Sequence, residues 1–298
     1  MNYVAYGLRI VSDIPLPELQ SLPPDDQPAD LRLRFINRAP ALPEPTAWVI
    51  RLDRPTGQPW LFCARINGGY FLRFVNIADF VVDASGLDAC CCSTLLDFAD
   101  ADLHHVALDQ VMPLVLKLRG FEPLHASAFA TAGGITAFIG PGGSGKSTIA
   151  STFLRQGHTI VGDDCLPLYC RDGQIYAVPA YPGVRLWHGS RKSRWLPPAG
   201  LATFPAAHAP LTRVYRVDRE SGAAHPRSRV ERMSMRDAVM ELVASTFRFD
   251  GDDRLALTKE FEMCDRISHV VPVRRLLIRQ GEDEAVARDL VLADLDRS

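Results

Sequence analysis

One eight-residue segment restricts the fold of this chain more than any other. It reads Gly140-Pro141-Gly142-Gly143-Ser144-Gly145-Lys146-Ser147 and fits the pattern G-x4-G-K-[ST]. An apolar strand-like run, residues 135–139, enters it, and a helical pattern over residues 147–156 follows. Glycines let such a loop curl so that successive N–H groups point at phosphate oxygens, and the start of the helix adds the positive end of its dipole. The sequence therefore predicts a triphosphate-binding loop between a strand and a helix.

The positions of this loop have separate predicted roles. The Lys146 ammonium can reach the β- and γ-phosphates, and the Ser147 hydroxyl can bind Mg²⁺. The predicted nucleotide-binding residues are Gly140, Gly142, Gly143, Ser144, Gly145, Lys146, Ser147 and Thr148. The motif thus predicts a nucleoside triphosphate as the ligand and Mg²⁺ as the cofactor.

Two acidic residues, Asp163 and Asp164, end the next predicted strand, residues 158–162. A ten-residue helix runs back about 15 Å, and a five-residue strand then returns about 16 Å. Because parallel strands joined by a right-handed crossover end at the same edge of a sheet, we expect both carboxylates beside Lys146 and Ser147. One carboxylate can hold the metal while the other accepts a proton from an attacking hydroxyl. A purely structural Asp-Asp turn is the alternative.

The chain divides by pattern at about residue 95. Residues 1–95 contain short alternating segments such as Leu31 to Ile36, typical of half-buried strands, and predict a β-rich domain that could serve substrate recognition. Residues 96–298 predict an α/β catalytic domain built around the phosphate-binding loop. Apolar residues recur at helical spacing over residues 103–118, where Pro113 should kink or divide the helix. The expected fold class is α/β in the second domain and α+β overall.

Composition and charge exclude several classes of protein. With 33 basic and 35 acidic side chains the net charge is −2, so no global positive field attracts nucleic acid or an anionic membrane. The sequence shows neither an apolar run of about 18 residues nor the pattern of a signal peptide. Seven cysteines, three of them consecutive at Cys90 to Cys92, lack the even number and the spacing of disulfide or zinc frameworks. We expect a cytoplasmic protein with buried thiols and with neither nucleic-acid nor membrane partners.

Positive charge is concentrated in one part of the chain. Residues 183–232 contain ten basic and three acidic side chains, an excess of seven positive charges. Two interpretations remain open at this point. The segment forms an ordinary solvated face, or it forms a rim that faces phosphates or an acidic peptide.

Three segments together resemble the catalytic core of the HPr kinase/phosphorylase family. They are Leu124-His125-Ala126-Ser127, the phosphate-binding loop, and the run from Gly157 to Asp164. The resemblance covers about 45 residues and implies a kinase that phosphorylates a serine of a protein, with a fold akin to the nucleotide domain of phosphoenolpyruvate carboxykinase. It implies that Asp163 is the general base, that Asp164 lies with the metal and the lysine, and that His125 takes the place of a family histidine. A core histidine without catalytic function is the alternative for His125.

The sequence also departs from that family. Members of the family have a Pro-Gly-Arg-Asn stretch that serves phosphorolysis. This chain has no match to it, since its C-terminal region reads Val271-Pro272-Val273-Arg274-Arg275. The resemblance therefore supports neither dephosphorylation nor HPr as the substrate. Segments 6–10, 14–19 and 181–187 are instead similar to HPr-kinase-related enzymes of lasso-peptide gene clusters, which phosphorylate a precursor peptide at its C-terminal serine.

Arg185 follows a Pro-Gly turn at the start of the basic segment. It is a candidate contact to the transferred phosphoryl group, and a surface salt bridge is the alternative. HPr kinases assemble as hexamers, but the N-terminal domain here is unlike theirs, so the sequence allows a homo-oligomer without specifying one.

The combined expectation is an ATP-dependent, Mg²⁺-requiring serine kinase whose partner is a peptide or protein with an acceptor serine, such as a lasso-peptide precursor. The predicted catalytic residues are Asp163, Lys146, His125 and Arg185, and the predicted metal ligands are Ser147 and Asp164. Two alternatives remain open: a kinase for a small hydroxylated metabolite such as free serine, and a nucleotide-sensing regulator that transfers nothing.

Overall fold

The structure is a computed structural model that describes residues 1–24, 26–38, 45, 47–54, 56–92, 101–188, 192–198, 207–220 and 227–297. The chain forms two compact units. The first comprises Met1–Phe121 and Phe247–Thr258, and the second comprises Glu122–Thr246 and Lys259–Ser298. The division therefore falls at residue 121, whereas the sequence placed a boundary at residue 95. None of the described helices is both long enough and apolar enough to span a membrane.

The first unit contains a nine-stranded sheet. Its strands are β1 (Asn2–Ala5), β2 (Leu8–Ser12), β3 (Gln20–Leu22), β4 (Leu31–Ile36), β5 (Ile50–Asp53), β6 (Pro59–Ile66), β7 (Gly69–Phe74), β8 (Ala78–Asp83) and β9 (Asp88–Cys92). They are ordered β3-β1-β2-β4-β9-β8-β7-β6-β5. β4 alternates between buried and exposed residues, because its apolar side chains face the core and its arginines face outward. This alternation is the one that the sequence predicts.

A helical segment follows the sheet and belongs to the same unit. It consists of α1 (Ala101–His105), a π-helical stretch (Val106–Val111) and α2 (Met112–Leu118). Pro113 lies in the first turn of α2, but Val111 and Met112 have right-handed helical backbone angles, so the helical backbone continues from the π-helical stretch into α2. The proline therefore does not divide the helix in two; the helix changes from π to α geometry next to it. The Tyr6 hydroxyl donates to the Leu108 carbonyl at 2.6 Å, which ties this segment to the turn between β1 and β2 and is one of the contacts that join it to the first unit.

The second unit is built on a mixed sheet. Its path is β10-β14-β15-β18-β12-β11-β13, with β20 beside β18 and β19 beside β20. The strands are β10 (Glu122–Leu124), β11 (Ser127–Thr131), β12 (Gly134–Ile139), β13 (Ile160–Gly162), β14 (Leu166–Arg171), β15 (Gln174–Ala177), β18 (Ala209–Glu220), β19 (Arg229–Arg232) and β20 (Val273–Arg279), and β16 (Val184–His188) pairs with β17 (Lys192–Leu196) as a separate ribbon.

Four further helices are α3 (Lys146–Arg155), α4 (Met235–Ala244), α5 (Arg254–Val270) and α6 (Glu284–Leu295). They contribute to two apolar cores. One core includes Leu242 of α4 and Ile267 of α5, and the other includes Phe153 of α3 and Val291 of α6. Val214 and Tyr215, adjacent residues of β18, belong to different cores, as expected for a strand buried on both faces. The arrangement is a mixed α/β fold.

The order of three strands positions the site. β11 pairs antiparallel with both β12 and β13, so β12 and β13 run in the same direction with β11 between them. The connection through α3 therefore passes over β11 rather than joining neighbouring strands. The carboxyl ends of β12 and β13 and the amino end of β11 meet at one edge of the sheet.

Candidate active site

The predicted phosphate-binding loop lies at the carboxyl end of β12 and leads directly into α3. Gly143 has a φ of +80°, a left-handed conformation that glycine adopts without strain, and nothing lies within 4 Å of the place where a Cβ would be. The loop therefore has the backbone and the open space that a bound phosphate group needs.

Lys146 is buried against this loop. Its Nζ donates to the carbonyl oxygens of Gly140 at 2.9 Å and Pro141 at 3.4 Å. Burial lowers the pKa of Lys146, and the negative charges of Asp164 and Asp163 oppose that shift. The ammonium therefore donates to two uncharged carbonyl oxygens and lies close to two carboxylates. A phosphate group, which carries negative charge, could replace the carbonyls as its acceptor.

Ser144 provides a second polar group in the loop. Its side chain is 8% exposed, and its Oγ has no hydrogen-bond partner among the residues that the structure describes. A buried hydroxyl without a partner costs stability. A phosphate oxygen bound in the loop could satisfy it, so this orphaned donor fits the ligand that the motif predicts.

Asp163 is the most deeply buried carboxylate of the site, at 1% exposure. It accepts three hydrogen bonds: Oδ1 accepts from the Ser147 hydroxyl at 2.9 Å and from the Ser127 hydroxyl, and Oδ2 accepts from the Arg185 amide at 2.7 Å. A carboxylate offers about four acceptor positions, so one on Oδ2 remains for a further donor. The structure thus brings the first aspartate into direct contact with the phosphate-binding loop.

The pKa of Asp163 is shifted toward neutral pH. Burial raises its pKa to about 7, the charge of Asp164 adds to the rise, and the hydrogen bonds from Ser127, Arg185 and Ser147 oppose it. A carboxylate with this pKa is a stronger base than an exposed aspartate. Its environment therefore suits a group that takes up a proton near pH 7.

Asp164 lies in a different environment from its neighbour. It is partly exposed and has a φ of +65°, in the left-handed region, so the chain turns sharply after β13. Its carbonyl oxygen is 3.2 Å from the His125 Nδ1. The His125 ring therefore meets the main chain of Asp164. The negative charge of the Asp164 carboxylate raises the pKa of both Asp163 and Lys146.

Arg185 lies on β16 and is 1% exposed, which makes it one of the largest fully buried side chains of the protein. Because the side chain is buried, the alternative of a surface salt bridge at Arg185 is wrong. Its amide bonds to Asp163. In the preceding turn, the Trp195 Nε1 donates to the Pro182 carbonyl at 3.1 Å. Arg185 is thus placed at the site, and Trp195 anchors the turn that places it.

Two residues of the site carry no role in the sequence-based prediction. Ser127 opens β11, and it reaches Asp163 because the amino end of an antiparallel strand lies at the carboxyl edge of its neighbours. Arg219 of β18 donates from Nε to the Ser144 carbonyl at 3.1 Å and from an amino group to Glu284 at 2.8 Å. Both contacts depend on strand order, which the local sequence does not reveal.

Several arginines of the basic segment form ion pairs in three dimensions. Arg216 pairs with Asp218 and Glu241, Arg219 pairs with Glu284, and Arg229 pairs with Glu220 and Glu231. Some of these carboxylates come from α4 and α6, outside the segment. Arg191 lies outside the described residues, as does the side chain of Lys192. These pairs favour a solvated, ion-paired surface over a bare positive rim.

The donor set fits the predicted Mg²⁺. The Ser147 hydroxyl and the Asp163 carboxylate lie side by side, and Asp164 acts electrostatically on the same group. Oxygen atoms of this kind are the ligands that Mg²⁺ prefers. Ser147 would therefore hold the ion together with Asp164, the two ligands that the sequence predicts.

Burial of Asp163 should make the free protein less stable as pH rises. Because its folded pKa lies above the ordinary value of 3.8, Asp163 keeps a proton in the folded state between about pH 4 and pH 7 that it loses in the unfolded chain. The stability that this proton gives the folded state therefore falls as pH rises through this range and is lost above pH 7. We expect Asp163→Asn to gain stability relative to wild type on going from pH 5 to pH 8, by on the order of 2 kcal/mol. Urea unfolding at both pH values, without Mg²⁺ or nucleotide, measures this difference. A difference that is independent of pH would contradict the raised pKa.

Comparisons with known proteins give little. No protein-family model matches the sequence, and no curated protein matches it. Among solved structures, the Hpr(Ser) kinase/phosphatase from Coxiella burnetii is similar at a TM-score of 0.35 with 12% identity, over 59% of this chain and 97% of that chain. A similarity of this size assigns neither a family nor an activity to the chain.

Proposed function

We propose that this chain is an ATP-dependent, Mg²⁺-requiring serine kinase that acts on a peptide or protein. One observation carries the proposal: a buried carboxylate, Asp163, lies 2.9 Å from the Ser147 hydroxyl of the phosphate-binding loop. One carboxylate beside the loop serine is enough to hold Mg²⁺, so nucleotide binding alone accounts for one of the two aspartates. A second carboxylate whose pKa is raised by burial to about 7 suits the proton transfer that accompanies phosphoryl transfer to a hydroxyl.

In the proposed reaction each residue acts through the contacts described above. Backbone amides of residues 142–146 and the Lys146 ammonium hold the phosphates and neutralise the charge that develops on their oxygens. Asp163 accepts the proton of the attacking serine hydroxyl, for which one acceptor position on Oδ2 remains. When bound, Mg²⁺ supplies further charge neutralisation. Most of the acceleration would come from positioning and electrostatics.

The remaining charged and polar groups would support Asp163. The charge of Asp164 keeps the Asp163 carboxylate basic, and His125 fixes the turn at Asp164. Ser127 and the Arg185 amide fix the orientation of the carboxylate. The Arg185 side chain is proposed to contact the transferred phosphoryl group.

The class of acceptor rests on the sequence resemblance. The segments at residues 6–10, 14–19 and 181–187 resemble kinases of lasso-peptide clusters, so we propose a precursor peptide with a C-terminal serine as the acceptor. The proposed location of such a kinase is the cytoplasm.

Transfer of labelled γ-phosphate tests this proposal. We expect label on a peptide that ends in serine, and none on the same peptide ending in alanine or on free serine. A peptide with the serine moved to an internal position measures how far the terminal carboxylate matters. Transfer to free serine alone would overturn the peptide acceptor, and nucleotide binding without turnover on any acceptor would overturn the kinase.

A further inference from the structure

Three consecutive cysteines on β9 lie on two different faces of the sheet of the first unit. Because side chains alternate along a strand, Cys90 and Cys92 share one face and Cys91 points to the other. On the shared face, Cys90 is paired in register with Arg34 of β4, and Cys92 with Asp79 of β8. Cys90 and Cys92 are each 7% exposed, whereas Cys91 is fully buried. The proposed kinase chemistry uses none of these thiols.

The distance between the two sulfurs is unsuited to a disulfide. Cys90 Sγ and Cys92 Sγ lie 3.6 Å apart, whereas a disulfide bond measures about 2.05 Å. Residues i and i+2 of an extended strand have Cα atoms about 6.6 Å apart, close to the upper limit of about 6.8 Å for bridged cysteines. Closing this bond would require distortion of a strand that is paired on both sides.

The same distance suits one atom bound between the sulfurs. Two sulfurs that each lie about 2.3 Å from a central ion, as in thiolate–metal sites, are 3.6 Å apart when the angle at the ion is about 103°. That angle is close to tetrahedral. The pair therefore needs little movement to chelate a single soft ion.

The neighbouring charges favour sulfur as the sole donor. Asp88 pairs with Arg34 at 2.6 Å and Asp79 pairs with Arg73 at 2.9 Å, so both nearby carboxylates are already engaged. The Arg34 charge favours the Cys90 thiolate, although burial raises the pKa of Cys90 to about 12. Cys90 is therefore protonated at neutral pH in the free protein, and a ligand must displace its proton.

We propose that Cys90 and Cys92 form a two-thiolate chelating site for a soft, thiophilic centre such as trivalent arsenic. With methylarsonous acid as the probe, two S–H and two As–OH bonds break, two As–S bonds form, and two waters leave. Neither arsenic nor sulfur changes oxidation state. Hard ions such as Mg²⁺ are not ligands of such a site.

Intact-mass spectrometry of the full chain with one equivalent of methylarsonous acid tests the site. We expect one adduct that withstands a monothiol and is released by a dithiol. Cys90→Ser and Cys92→Ser should each lose this resistance to the monothiol. Cys91→Ala, on the same strand but the opposite face, and Cys170→Ala, a half-buried thiol elsewhere, should keep it.

Thermal unfolding of each variant shows whether a lost adduct reflects a lost fold. A folded Cys90→Ser or Cys92→Ser variant that retains the monothiol-resistant adduct overturns the proposal, as does a wild-type protein that forms none. If both serine variants unfold, alkylation of wild type by iodoacetamide in urea, with and without prior arsenic treatment, decides the point: protection that arsenic adds at this pair supports the site, and protection added at any other pair, or at none, refutes it. Neither measurement reads kinase activity, so the two proposals fail independently.

Discussion

Replacing Asp163 by asparagine is expected to lower phosphoryl transfer by about 10²- to 10⁴-fold, the usual contribution of a general base. ATP affinity should change by less than about threefold, under 1 kcal/mol, because the phosphates are held by the loop amides and Lys146. Asparagine preserves the shape of the side chain but removes the basic oxygen beside the Ser147 hydroxyl. Single-turnover transfer and equilibrium binding of ATP, measured on the same preparation, separate the two effects.

Two further aspartates provide the comparison. Asp164→Asn should weaken both transfer and Mg²⁺-dependent binding, since Asp164 is proposed to act on the metal and on Lys146. Asp172→Asn is a matched control, because Asp172 also has a left-handed φ, +52°, but lies in an exposed turn. Equal losses of binding and transfer in Asp163→Asn would remove the general-base role from Asp163.

Replacing Lys146 by methionine is expected to weaken ATP binding by about 10- to 100-fold, the contribution of one or two hydrogen bonds to a charged group. Methionine keeps the length of the side chain without its charge. The fold should tolerate the change, because burial already disfavours the Lys146 charge and, within the described part of the chain, the ammonium bonds only to the carbonyls of Gly140 and Pro141. Calorimetric titration with ATP measures the loss.

Adenosine and an exposed lysine serve as controls for that titration. Lys146→Met should bind adenosine as wild type does, since adenosine has no phosphates. Lys259→Met, at an exposed position of α5, should leave ATP binding unchanged. Wild-type ATP affinity in Lys146→Met would show that the loop is not the phosphate-binding element.

The local part of the site could be predicted from sequence. The strand, loop and helix around Gly140–Ser147 are encoded by neighbouring residues, and the lengths of α3 and the following strand were enough to return Asp163 to the loop. Ser127 and Arg219 could not be found this way. Their contacts depend on β11 lying between β12 and β13 and on β18 lying beside β12, and strand order is determined by contacts distant in sequence.

The division of the chain into two units could not be predicted from local sequence patterns either. A change of composition near residue 95 suggested a boundary, but the helical segment at residues 101–118 packs with the first unit, and Phe247–Thr258 also belongs to it. Long-range contacts, such as the one between Tyr6 and Leu108, decide this assignment. Neither residue indicates the other in the sequence.

The hydrogen bond from residue 185 to Asp163 comes from the main chain. Any amino acid except proline can supply it, so the orientation of the carboxylate does not depend on which side chain occupies this position. Related sequences could therefore exchange the arginine, and with it the proposed contact to the phosphoryl group, while leaving the proton acceptor undisturbed. Phosphoryl stabilisation and the orientation of the proton acceptor can in this way change independently at a single position.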